Sequence, residues 1–118
     1  MGHDWIDAQR VRAMLSGAGQ IAEKPMMGSL VFMVNGHMCC GLGKAGLMIR
    51  VGPDAREQVL ELPHARPMRI GTKSPGAFVR IDASGYREDA DLLAWLRRGL
   101  AYVATLPSKP ARAAATRR

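Results

Sequence analysis

The one cluster of reactive side chains in this sequence is His37-x-Cys39-Cys40, inside the stretch GSLVFMVNGHMCCGLGKAGLMIRV from Gly28 to Val51. Imidazole and thiolate are zinc ligands, and a thiolate in an electropositive setting is a nucleophile. Two ligands fall short of the four that structural zinc takes, and no second pair such as CxxC follows. His37 and Cys39 are the candidate pair for a thiol or metal site, with Arg50 as the nearby cation. No general base accompanies Cys39, and a free cysteine more often serves as a small hydrophobe. The methionines Met26, Met27, Met33, Met38 and Met48 have strand spacing that fits sheet packing better than copper binding. Gly41-x-Gly43 and Gly43–Gly46 lack the strand–loop–helix setting of a phosphate cradle. No HExxH, GxSxG or paired-carboxylate pattern occurs. The expectation is a non-enzymatic protein without a cofactor.

The elements that position this cluster are two consecutive β-hairpins. Asn35-Gly36 is a type I′ turn pair, because both residues tolerate positive φ at little steric cost. It sets Val34 opposite His37, Met33 opposite Met38, Phe32 opposite Cys39 and Val31 opposite Cys40. Around Gly43-Lys44-Ala45-Gly46, a two- or four-residue loop sets Leu42 opposite Leu47, Cys40 opposite Ile49 and Cys39 opposite Arg50. A three- or five-residue loop would exchange the faces of the last strand.

Opposed residues share a face. One face then carries Val31, Met33, Met38, Cys40, Leu42, Leu47, Ile49 and Val51 and belongs against helices. The other carries Leu30, Phe32, Val34, His37, Cys39, Met48 and Arg50. Leu30, Phe32, Val34 and Met48, with Arg50 beside them, form an apolar patch that expects a partner. A second copy of the chain is the simplest one, since two-fold interfaces are the commonest among oligomers.

A chain of 118 residues with 47% hydrophobic content can bury one core without staples. Lys109, Arg112, Arg117 and Arg118 supply more than half of the formal net charge of +7. These four make residues 107–118 a basic, disordered tail that could touch nucleic acid through salt-sensitive contacts with phosphates. Adjacent cysteines cannot staple a fold, so a reducing, cytoplasmic setting is expected. No signal peptide and no apolar run of membrane length is evident, so no membrane contact is expected.

In chain order, Asp4–Leu15 reads as an amphipathic helix with Asp4 as N-cap, and Ile21–Met27 as a connector in which Pro25 bars helix. After the hairpins, Gly52-Pro53-Asp54 opens a short helix with Ala55, Val59, Leu60 and Leu62 inward, closed by Pro63. Strands follow at Met68–Ile70 and Ala77–Ile81, with turns over Gly71–Gly76. The longest helix runs from about Arg87 to Leu106, with Leu92, Trp95, Leu96, Leu100, Val103 and Leu106 as its stripe. The order is α-β-β-β-α-β-β-α, an α+β domain over residues 1–106.

The phrases MMGSLVFMVNGHMCCGL, LMIRVGPDA, PHARPM and GAFVRID…ADLLAWLRRGLAY resemble the N-terminal domain of the TfoX/Sxy competence regulators, from about Arg10 to Leu106. VNGHMCCG followed by RVGP is the most specific part. Met27-Gly28-Ser29 stands where the family usually has Phe-Gly-Gly. The resemblance implies a two-layer, secretion-chaperone-like fold: a five-stranded antiparallel sheet with helices on one face. It also implies a protein-interaction role accessory to transcription and competence regulation, in which full-length members carry a further helical domain and act with a global transcription activator. It supplies no established catalytic residues.

Overall fold

A computed structural model describes residues 5–26, 28–68 and 76–107. Helix α1 spans Trp5–Leu15, followed by strands β1 (Ile21–Met26), β2 (Ser29–Val34), β3 (His37–Gly43) and β4 (Gly46–Arg50). Helix α2 (Arg56–Leu60), β5 (Ala65–Pro67), β6 (Phe78–Ile81) and helix α3 (Asp89–Val103) complete the fold. The strands form one six-stranded antiparallel sheet in the order β1-β2-β3-β4-β6-β5. The apolar residues of all three helices join a single core cluster with one side of that sheet.

The sheet has one strand more than the sequence expectation. Ile21–Met26 pairs with β2 along its whole length, Pro25 facing Leu30. Proline bars a helix there, but an edge strand tolerates it because one side of its backbone needs no ladder hydrogen bond. Just before the strand expected at Met68–Ile70, Ala65–Pro67 forms a strand at the opposite edge, with Met68 outside it. Arg69, Ile70 and most of the expected Gly71–Gly76 turn fall outside the described residues, as do Asp4 and the tail from Ser108 onward.

Both hairpin turns form as the sequence indicates. Asn35 and Gly36 have φ of 52° and 86°, the left-handed pair that a type I′ turn requires. Asn35 also fixes β1: its Oδ1 accepts from the Gln20 N–H at 2.9 Å, and its own N–H donates to the Gln20 carbonyl at 2.8 Å. The second turn is the two-residue loop Lys44-Ala45, with Gly43 facing Gly46, so Leu42 faces Leu47 and Cys40 faces Ile49.

Between the turns the register differs. Val34 faces His37 and Met33 faces Met38, but Phe32 then faces Cys40 and Leu30 faces Leu42. Cys39 is the extra residue of a β-bulge, and a single insertion reverses the inward and outward residues of β2 beyond it. Phe32 and Val34, expected on the solvent face, are therefore buried in the core, and half-buried Leu30 packs against it. Val31, expected inward, is buried but stands outside the core cluster.

Helix α3 is the main cover of the inward side. Leu92, Trp95, Leu96, Gly99 and Val103 are its buried residues, spaced so that one stripe lies over β3 and β4. Asp89 and Asp91 sit in its first turn, where the helix dipole favours carboxylates. Trp95 Nε1 donates to the Gly85 carbonyl at 2.9 Å. Arg10 of α1 ties the start of α3 by donating to Asp89 Oδ1 at 2.9 Å and to the Tyr86 and Arg87 carbonyls, while also holding Asp7 at 2.7 Å.

Candidate functional site

Two places hold the residues that the sequence singles out, one on each side of the sheet. On the inward side lies the bulge. Cys39 and Cys40 are both free thiols and both buried in the core cluster. The Cys40 S–H donates to the Cys39 sulfur, which lowers the Cys39 pKa against the opposing effect of burial; the Arg50 charge lowers it further. The same bond and burial push Cys40 well above the usual thiol range. Arg50 itself is half-buried: Nη1 donates to the Met38 carbonyl at 3.3 Å, and the guanidinium lies 6.0 Å from the Phe78 ring centroid and 5.5 Å from that of Tyr102. Its buried Nε makes no hydrogen bond.

His37 is engaged elsewhere. Its Nε2 donates to the Pro107 carbonyl at 2.5 Å, so the ring fastens the chain beyond α3 to the start of β3. Among the described residues no group of three or more His, Cys, Asp and Glu is placed to hold a metal ion. What the bulge offers is a pair of buried free thiols.

On the other side, alternation from the observed register gives the outer face. One row crosses the whole sheet: Lys24, Val31, Gly41, Met48, Arg80 and Arg66. Met48 lies over Gly41, where a Cβ would fall 2.6 Å from the Met48 methyl. Met33 and Met38 form the neighbouring pair, and Phe78 faces Arg50. Met33, Met38, Met48 and Phe78 are all half-buried. Lys24 and Arg66 are exposed. Asp82 accepts from Arg66 Nε at 2.9 Å and from Arg80 Nη2 at 3.5 Å, and the Arg66 bond first, then the cations around it, lower its carboxyl pKa. The buried Nε of Arg80 makes no hydrogen bond.

Of the five interface candidates, Met48 and Arg50 alternate to the outer side, while Phe32 and Val34 are core and Leu30 packs on it. Lys109, Arg112, Arg117 and Arg118 lie outside the described residues. Sequence reasoning missed Lys24, Arg66, Phe78 and Arg80 as members of the outer face. The alternation in AFVRI carried a signal for two of them, since Phe78 and Arg80 share a side of any regular strand.

No helix among the described residues is long and apolar enough to cross a membrane. No curated protein and no solved structure matches the chain. The family model for the TfoX N-terminal domain matches residues 13–103, most of the folded body including both hairpins, the bulge and α3. The chain belongs to the TfoX N-terminal domain family.

Proposed function

We propose that this domain is a non-enzymatic protein-interaction module that works through the outer face of its sheet, as an accessory to transcription or competence regulation. The observation that carries the reading is the row Lys24–Val31–Gly41–Met48–Arg80–Arg66 with Met33, Met38 and Phe78 beside it, a mixed apolar and basic surface outside the core cluster. Methionine side chains adapt to varied partner shapes, and arginine is enriched at interface centres.

The chemistry of this face favours a heterologous partner with an acidic surface. Lys24, Arg66 and Arg80 outnumber Asp82, so the face carries net positive charge. Self-association through the same face, the expectation from sequence, would set these cations toward their own copies, and like charges directly opposed cost affinity. Both sheet edges also carry proline, Pro25 in β1 and Pro67 in β5, which hinders pairing of edge to edge.

The test is recovery of a partner from the native host with wild-type domain and with the double variant Lys24→Glu, Arg66→Gln, at two exposed positions of that face. The reading expects a specific protein bound to wild type, lost in the variant and weakened by salt, with the melting temperature little changed. Equal recovery by both proteins rejects the outer face.

A further inference from the structure

An antiparallel ladder alternates hydrogen-bonded with non-hydrogen-bonded pairs, so every second residue of an edge strand turns its N–H and C=O away from the sheet. In β1 the phase is fixed beside the first turn, where the Asn35 N–H donates to the Gln20 carbonyl at 2.8 Å. Gln20, Ala22, Lys24 and Met26 therefore bond to β2, and Ile21, Glu23 and Pro25 direct their backbone groups outward. Pro25 has no N–H to offer and closes its own position against a longer added strand. Residues 21–23 leave a short window: the N–H and C=O groups of Ile21 and Glu23 have no partner among the described residues.

The opposite edge has no such window. The Asp82 N–H donates to the His64 carbonyl at 3.0 Å, which turns the backbone groups of Ala65 and Pro67 outward. The Ala65 N–H is taken by the Leu62 carbonyl at 3.3 Å, and Pro67 has none, so β5 offers no outward donor.

The side chains around the open window decide what fits it. Lys24 is exposed on the outer side of the strand. On the inner side, Ile21 packs against the core and Pro25 is exposed, both apolar. Glu23 lies between them with its carboxylate held by Arg12 of α1, so its charge is already matched. We propose that the free edge of β1 takes an extended segment of the partner as an added strand, with acidic side chains beside Lys24 and apolar ones beside Ile21 and Pro25. Backbone bonds to Ile21 and Glu23 supply the attachment, and the acidic–apolar alternation supplies the selection. The proposal rests on the outer-face reading for the acidic partner, and it extends that face by one strand. A second copy of β1 is the poorer occupant: its side chains on the outer side are Ala22, Lys24 and Met26, none of them acidic.

The probe is a synthetic hexapeptide of alternating aspartate and valine, acetylated and amidated, added to the full chain while amide exchange is followed residue by residue by NMR. In the free chain, exchange should be fast at Ile21 and Glu23 and slow at Ala22 and Lys24. Saturating peptide should slow Ile21 and Glu23 by about tenfold, the worth of one hydrogen bond, and leave β5 unchanged. Glu23→Ala keeps the N–H and should still bind; Glu23→Pro, checked for native circular dichroism, removes it and should not. Should the proline variant fail to fold, the exchange pattern of wild type decides alone. No protection of Ile21 and Glu23 at millimolar peptide, or equal protection by a lysine–valine counterpart, overturns the proposal. Protection that grows with protein concentration in the absence of peptide overturns it in favour of self-pairing. Arg66→Gln, at the far edge, separates this test from the outer-face reading, because the peptide should protect that variant as it protects wild type even where the variant has lost the native partner.

Discussion

Gly99 of α3 sits directly over Cys39 of β3, so close that a Cβ at position 99 would lie 3.1 Å from both the Cys39 sulfur and the Cys39 carbonyl oxygen. A glycine inside a helix costs about 1 kcal/mol relative to alanine. Here it lets α3 approach the bulged strand closely enough to bury both thiols.

Gly99→Ala should therefore destabilise the domain despite the better helix propensity. Overpacking costs typically about 1–3 kcal/mol, and one of the three neighbours is backbone, which cannot rotate away. A net loss of about 1 kcal/mol in urea unfolding is expected. A gain in stability would mean that α3 has room to spare.

The bulge makes a second, sharper contrast. Phe32→Ala should cost about 3–5 kcal/mol, the range for truncating a buried aromatic, because Phe32 is fully buried in the cluster. Met33→Ala, on the half-buried outer side, should cost under about 1.5 kcal/mol. Without the bulge the ranking would reverse, so comparable or inverted losses in urea unfolding would refute the register. By the same reasoning Phe32→Asp should give an unfolded chain rather than a folded monomer.

Gly46 closes the second hairpin with φ of +128°, and a Cβ there would sit 2.3 Å from the Ile81 carbonyl oxygen. Gly46→Ala combines backbone strain with a clash against β6 and should cost more than about 3 kcal/mol. Gly28, at φ +82° with open space around it, isolates the strain alone. Gly28→Ala should cost about 1 kcal/mol. Thermal unfolding of the two variants checks the difference.

Glu23 of β1 accepts from Arg12 of α1, through Nη2 at 2.7 Å and also through Nε. That hydrogen bond, opposed by burial and helped by the arginine charge, lowers the carboxyl pKa from its ordinary 4.5. A depressed folded-state pKa stabilises fully above the unfolded value and loses its effect as pH falls through the folded one. The urea midpoint of wild type should therefore fall more steeply below about pH 4.5 than that of Glu23→Gln. Identical acid limbs would show that the pair contributes nothing to holding the edge strand.

The helices and turns were legible in the sequence because their signals are local. The stripe from Leu92 to Val103 and the Asn35-Gly36 pair each name their element without reference to the rest of the chain. The bulge was not legible. Cys39, Cys40 and Leu42 read as one near-continuous apolar run, which fits either parity. The choice falls to packing: α3 needs a glycine-to-sulfur contact at Cys39, and Phe32 fills more core than Val31. Edge strand β1 was hidden for a related reason, since Pro25 excludes helix locally but its tolerance in a strand depends on lying at an edge. On the outer face only Lys24 depended on the bulge, through the pairing of β1 with β2; Phe78 and Arg80 share a side of their own strand, and they and Arg66 join the face through the pairing of β6 with β4 and β5, which no local signal names.

The most direct test of the outer face as the working surface is site-specific photo-crosslinking in the native host. A benzophenone amino acid at Lys24 or Arg66, exposed on that face, is compared with one at Arg97, exposed on α3. The account expects one discrete heterologous adduct from both outer-face positions and none from Arg97. Adducts from Arg97 alone, or none from either outer-face position, would contradict it.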